Sequence, residues 1–182
     1  DSVHAFLAQC KELLDLPTHI VHLPAEKFQY TRFKAFDWNR FMRGWNIQIY
    51  SLVEILRHYL PLMGKGDAYS KVVIMLSSCT IGIPPRFISD YVMLKYSLLG
   101  LMKSLAVEYD GKKISINALS PSMMETKFLS DIDERIVQIN AKNSQFGKNA
   151  SVKDIVPALE FLLSDASNYM NGANLNLSNG EV

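Results

Sequence analysis

Three residues in the middle of the chain have the types and the spacing that proton transfer requires. Tyr91 and Lys95 lie four residues apart in SDYVMLKYS, and Ser78 follows the apolar run KVVIML. This separation places two side chains on one face of a helix, so the ammonium group of Lys95 can lie beside the phenol. A nearby positive charge lowers the pKa of a tyrosine from its ordinary value of about 10. We therefore predict that Tyr91 exchanges a proton near neutral pH while the Ser78 hydroxyl holds a carbonyl oxygen.

This chemistry suits the interconversion of a ketone and an alcohol. No side chain supplies a hydride, so the reaction also needs a redox cofactor. The Tyr-x-x-x-Lys spacing alone is weak support, because many helices carry a core tyrosine one turn before a solvated lysine. The elements that position these residues must decide between the two interpretations.

Helices and strands alternate along the predicted chain. The run KVVIML has no polar alternation, which is typical of a strand buried on both faces of a parallel sheet. Alternating elements predict an α/β fold whose ligands bind beyond the carboxyl ends of the strands. A first helix precedes the strands, which are Thr18–Leu23, Lys71–Leu76, Lys113–Ser120 and Ala173–Ser178, and later helices cover 38–59, 90–109 and 151–164. A loop is predicted at 61–70, and the mixed segment 121–150, with some helix, is a candidate substrate lid.

Composition narrows the function classes. The chain has 182 residues, 48% of them apolar, and a formal net charge of +1. This balance gives no reason to expect binding to nucleic acid or a membrane surface, and no apolar run is long enough to cross a bilayer. No signal-peptide pattern is present, so we expect a cytoplasmic protein. Cys10 and Cys79 lie at no metal-ligand spacing, so we expect no metal site.

Four segments in the right order resemble the short-chain dehydrogenase/reductase family. VVIMLSSCTIGIPPRFISDYVMLKYSLLGLMKSLAVEY is similar to its strand, serine, twelve-residue gap, Tyr-x-x-x-Lys and helix, and INALSPSMMETKF is similar to its V-N-x-x-x-P-G-x-x-x-T segment. FGKNASVKDIVPALEFLLSDASNYMNGANLNLSNG resembles the C-terminal region, and THIVHLPA stands where the family has its fourth strand and an Asn-Asn-Ala-Gly turn. The likeness covers nearly the whole chain and implies a Rossmann-like parallel sheet with flanking helices.

The resemblance also implies roles for individual residues. Tyr91 would be the general acid or base, Lys95 would lower its pKa and bind the nicotinamide ribose, and Ser78 would orient the carbonyl. Asn46 matches a helix asparagine that holds a water in the proton relay, with Asn39 as a weaker rival. The cofactor would be NADP or NAD, and the residues expected to contact it are Pro24, Ala25, Tyr91, Lys95, Pro121, Ser122, Met124 and Thr126.

The chain also departs from the family pattern. Pro24-Ala25-Glu26 replaces Asn-Ala-Gly, and Pro121-Ser122 replaces Pro-Gly. No glycine-rich T-G-x-x-x-G-x-G turn is present, although the family uses that turn to seat the pyrophosphate at a helix N-terminus. We therefore expect residues 1–182 to be one partial catalytic domain that lacks the N-terminal βαβαβ half and is inactive alone.

The partner expected for this domain is a small carbonyl or alcohol substrate. Helices 38–59 and 90–109 resemble the family's paired interface helices, so we also expect a homo-oligomer. Three alternatives stay open. The protein could be a non-catalytic homologue with a structural or regulatory role, a ketoreductase-like piece of a larger synthase, or a member of the extended branch that modifies nucleotide sugars.

Overall fold

The strands form one parallel sheet with helices on both faces, as predicted. The computed structural model describes residues 2–14, 16–27, 29–66 and 68–180. Within these ranges the sheet has the order β1-β2-β3-β4, and every neighbouring pair is parallel. The strands are β1 His19–His22, β2 Ser70–Met75, β3 Ile114–Pro121 and β4 Asn174–Leu177.

The helices agree with the predicted ones to within a few residues, with one exception. They are α1 Ser2–Leu13, α2 Trp38–Trp45, a π-helical turn Asn46–Tyr50, α3 Ser51–Met63, α4 Ser89–Glu108, α5 Glu134–Asn143 and α6 Val152–Leu163. The exception is the predicted loop from Pro61, because α3 continues through that proline. Pro61 lies on the exposed face of the last turn, while Leu60 and Met63 are buried and hold the turn in the core. Packing thus outweighs the missing N–H donor.

Alternating side chains of the strands pack against two separate helical layers. Val72 and Ile74 of β2 lie in the core formed with α3 and α4, whereas Val73 packs with Leu119 against α6. Both faces of β2 are therefore buried, as its unbroken apolar sequence predicted.

The carboxyl ends of β1, β2 and β3 open toward one cleft, which residues of the segment 122–150 also line. A pair of backbone hydrogen bonds closes the base of this segment, from Ala150 N to Met123 O at 3.1 Å and from Glu125 N to Ala150 O at 2.9 Å. These bonds join the two ends of the segment 122–150, which is named the lid.

None of the helices described by the structure has the length and apolar character to cross a bilayer.

Candidate active site

Helix α4 places Tyr91 and Lys95 at the carboxyl end of β2. Arg40 pairs with Asp90 at the start of this helix, and Asp90 Oδ1 accepts a hydrogen bond from Tyr91 N at 2.9 Å. Lys95 is 3% exposed, and its Nζ donates to Met75 O at 3.0 Å. The same Nζ lies 5.5 Å from the centre of the Tyr91 ring. The two residues therefore share one helix face, and the lysine reaches beneath the tyrosine to the end of the strand.

Two adjacent serines, Ser77 and Ser78, lie with Tyr91 in the wall of one cavity. A hydrogen bond from the Ser77 side chain acts on the pKa of Tyr91, and Ser77 Oγ accepts from Cys79 N at 3.4 Å. Ser78, which the gap to Tyr91 predicted as the catalytic serine, begins the 3-10 turn Ser78–Thr80 and lines the same cavity. Both serines follow β2 directly, so the sequence signals that a serine lies here but not which hydroxyl faces the phenol.

The predicted direction of the Tyr91 pKa shift is wrong for this arrangement. Burial raises the pKa of Tyr91 above its ordinary value, although the hydrogen bond from Ser77 lowers it in part. The Lys95 ammonium does not offset this effect because it contacts a backbone carbonyl of β2 rather than the phenol oxygen. Burial also lowers the pKa of Lys95 to about 8. Near neutral pH the site therefore holds a protonated phenol, the form that donates to a carbonyl oxygen.

The structure does not bring Asn46 to this site. Asn46 opens the π-helical turn with an exposed side chain, outside the cavity that Tyr91 lines, and Asn39 is exposed as well. Gln48 points inward instead, is 0% exposed, and has no hydrogen-bond partner for either amide atom among the described residues. The signal for Gln48 was its spacing, because Phe41, Gln48 and Leu52 fall on one helical stripe and Asn46 does not.

A buried histidine lies beside this inward-facing turn. His22 is 3% exposed, and its Nε2 donates to Gln48 O at 3.0 Å. Burial is the main reason that its pKa is lowered to about 4, and the positive charge of Lys95 adds to the effect. His22 is therefore neutral under ordinary conditions.

This shift predicts a loss of stability in mild acid. The pKa of His22 is lower in the folded chain than the ordinary value of 6.5, so as pH falls from 6.5 the unfolded chain takes up the proton first. The contribution of neutral His22 to the free energy of unfolding is fully present above pH 6.5 and falls by about 3 kcal/mol as the pH approaches 4. We expect urea unfolding at several pH values to show that the free energy of unfolding changes less with pH over this window for His22→Gln than for the wild type. The exposed His58 supplies the control, and an equal reduction in His58→Gln would contradict the assignment.

Most of the residues expected to contact a cofactor line one cavity of about 780 Å³ with Tyr91 and Lys95. They are Ala25, Pro121, Ser122, Met124 and Thr126. Pro24 is the exception, since it lines a second cavity of about 490 Å³ between α1 and the free edge of β1. Thr126 Oγ1 accepts from Phe128 N at 3.3 Å and so caps the short turn Lys127–Leu129 at the front of the lid.

Comparison with known proteins places this geometry in a family. A family model described as enoyl-(acyl carrier protein) reductase matches residues 1–181. A 3-oxoacyl-(acyl-carrier-protein) reductase of Thermotoga maritima is 24% identical over 151 residues, which are 83% of this chain and 59% of that protein. The chloroplastic NADPH-dependent aldehyde reductase 2 of Arabidopsis thaliana is 31% identical over 101 residues, 55% of this chain and 37% of that protein. The chain thus spans less than two thirds of the length of these relatives.

Solved structures share the fold. Gluconate 5-dehydrogenase from Burkholderia cenocepacia, in complex with NADP and tartrate, superposes with a TM-score of 0.88 at 19% identity, covering 98% of this chain and 69% of that one. The ligand-free aldohexose dehydrogenase of Thermoplasma acidophilum gives a TM-score of 0.86 at 17% identity, covering 98% and 72%. With a family model matched along almost its whole length, the chain belongs to the short-chain dehydrogenase/reductase family.

Proposed function

We propose that the protein is an NAD(P)-dependent oxidoreductase that interconverts a ketone and an alcohol, with Tyr91 as the proton donor in reduction. The observation that carries the proposal is that Tyr91, Ser77 and Ser78 share the wall of one large cavity, with the buried Lys95 Nζ 5.5 Å from the centre of the Tyr91 ring. Burying an ammonium costs free energy, so a buried lysine in the wall of this cavity supports a functional role for Lys95.

Each side chain has a defined task in this proposal. The substrate oxygen accepts hydrogen bonds from Tyr91 and from a serine hydroxyl, which is that of Ser77 or that of Ser78, the serine indicated by the resemblance to the family. The phenol proton moves from Tyr91 Oη to this oxygen as the carbonyl carbon is reduced. In this step the Lys95 ammonium, which contacts Met75 O while the phenol is protonated, turns to the phenolate oxygen that remains and stabilises it. In alcohol oxidation the same phenolate takes the proton back.

The donor set fits the nicotinamide half of a dinucleotide. The hydroxyl side chains of Ser122 and Thr126 lie with Lys95 around one cavity and suit the ribose and carboxamide groups, while Ala25 and Pro121 supply apolar contacts. The bound dinucleotide would supply the hydride. Among the described residues no glycine-rich turn follows a strand in the way that pyrophosphate binding requires, so these residues account for only part of a dinucleotide site.

Either cofactor form is compatible with this half-site. Among the relatives, the name of the Arabidopsis protein specifies NADPH, and a 4-hydroxyisoleucine dehydrogenase of the same fold was solved with NADH.

The apolar surface of the helices expected to pair two copies is exposed at Trp38, Met42 and Met93, which supports the proposed homo-oligomer.

Turnover tests the proposal directly. We expect ketone-dependent oxidation of NADPH or NADH by the product of the complete reading frame, and the chain of 182 residues is assayed beside it. Binding of both nucleotides is measured in parallel by calorimetry. A complete product that folds, binds neither nucleotide and reduces no ketone would favour the alternative of a non-catalytic homologue.

A further inference from the structure

We infer that the substrate is a neutral ketone, or the corresponding alcohol, with apolar substituents and no carboxylate or phosphate. The inference rests on the proposed function, because the carbonyl oxygen is placed at Tyr91. It goes further by using the walls of the cavity around that oxygen, which the reaction itself does not specify.

The first wall is the lid, whose side chains nearest to Tyr91 are apolar. The centre of the Phe128 ring lies 6.4 Å from that of the Tyr91 ring at an interplanar angle of 46°, so both rings line the part of the cavity next to the phenol. Met123 and Leu129 continue this surface along the cavity. Methionine side chains adapt to irregular shapes, so this wall favours apolar substituents without dictating a single one.

The second wall is one stripe of α6. Val152, Ile155, Val156 and Leu159 all line the cavity, and their spacing of three and four residues places them on one face of the helix. Val152 is 51% exposed and Val156 is 36% exposed, so part of this stripe faces the open cavity. An apolar ligand that covered such surface would gain about 25 cal/mol for each Å² removed from water.

The cavity offers no positive charge to an anionic substrate. Among the described residues that line it, Lys95 is the one charged side chain, and its Nζ is already held by Met75 O. Two lysines at the lid, Lys27 and Lys127, do not line the cavity, and Lys27 is paired with Asp131 at 3.0 Å. A substrate carboxylate would therefore lose its hydration without gaining a partner, which is strongly unfavourable.

Few polar side chains of the cavity remain after those assigned to the reaction and to the cofactor are set aside. Beyond the groups assigned to the reaction and the cofactor, Tyr30 and Asn140 are the main polar side chains among its described lining. A sugar or sugar acid carries a hydroxyl on nearly every carbon and would leave most of them against methionine, valine and leucine side chains. This site is thus matched to alkyl or aryl ketones.

A matched pair of ligands tests the inference. The probes are 4-phenylbutan-2-one and 4-(3-oxobutyl)benzoate, which differ by one carboxylate at the end remote from the carbonyl. Binding is measured by saturation-transfer NMR and calorimetry on the chain and on the product of its complete reading frame, with and without saturating NADP⁺ or NAD⁺. We expect the neutral ketone to bind at least roughly tenfold more tightly, since one unpaired charge in an apolar cavity costs more than the 1.4 kcal/mol of that factor.

A charge placed on the cavity wall should reverse this preference. We expect Val156→Lys to weaken the neutral ketone and strengthen the carboxylate, whereas Val107→Lys, on an exposed position of α4 outside the cavity lining, changes neither. Equal or tighter binding of the carboxylate by the wild type, or no binding of either probe, would overturn the inference. Reduction of a sugar acid but not of the neutral ketone would overturn it and leave the proposed function intact. Binding of the neutral ketone without any turnover would support the inference about the substrate and contradict the proposed function.

Discussion

Tyr91→Phe is expected to lower the rate of ketone reduction by about 10²- to 10⁴-fold, the range that a positioned general acid contributes. The substitution removes one oxygen atom and leaves the ring in place against Phe128. Burial raises the pKa of the Tyr91 phenol, so the phenol carries the proton that the substrate oxygen receives. Without the phenol oxygen, the substrate oxygen has no proton donor. We expect kcat to fall much more than KM rises, because the apolar walls that bind the substrate are unchanged. Single-turnover and steady-state assays with NADPH or NADH measure both.

The matched control for this experiment is Tyr169→Phe, which removes the same atom from a fully exposed tyrosine outside the cavity. Activity of this variant should equal that of the wild type. Ser77→Ala and Ser78→Ala are assayed beside it, and the geometry predicts the larger loss for Ser77→Ala because a hydrogen bond from the Ser77 side chain acts on the pKa of Tyr91. Turnover that survives Tyr91→Phe would remove Tyr91 from the role of proton donor.

The sheet and its order along the chain could be predicted from the sequence because burial leaves a local pattern. β2 reads as an unbroken apolar run, since both of its faces are covered. Tyr91 and Lys95 were predictable for a similar reason, because helix spacing alone places them on one face. Their position at the end of β2 then follows from the connection 76–88, which is long enough to fold back and bring the start of α4 to that end of the strand.

The fine geometry of the site could not be predicted because it depends on irregular backbone. Ser77 and Ser78 are adjacent, and the 3-10 turn that begins at Ser78 sets where each hydroxyl lies in the cavity wall. The turn Asn46–Tyr50 is π-helical, and Gln48 rather than Asn46 projects into the interior from it. Burial raises the pKa of Tyr91, and the Lys95 side chain turns to Met75 O, and both are tertiary features with no local signature.

Lys95→Met is expected to abolish activity and yet to stabilise the fold near neutral pH. The lowered pKa of Lys95, about 8 against an ordinary value of 10.5, means that its charged form is disfavoured in the folded chain. Below 8 the lysine is charged in both states, and burying that charge costs on the order of 3 kcal/mol. Methionine has a similar length without the charge, although it leaves Met75 O without its donor. We therefore expect a net gain of about 1–2 kcal/mol.

The pH dependence separates this explanation from better packing of the methionine. Between about 8 and 10.5 the folded chain loses the Lys95 proton before the unfolded chain does, so wild-type stability rises with pH and the advantage of Lys95→Met shrinks. Denaturant unfolding of both proteins near neutral pH and near the upper part of this window measures the change, with exposed Lys103→Met as the control on the same helix. A constant advantage across the window would mean that packing, not charge, is responsible. A loss of stability near neutral pH would contradict the prediction and show that the ammonium is favourable where it lies. The expected gain would mean that the chain keeps this lysine at a cost to stability, which fits a residue that the reaction requires.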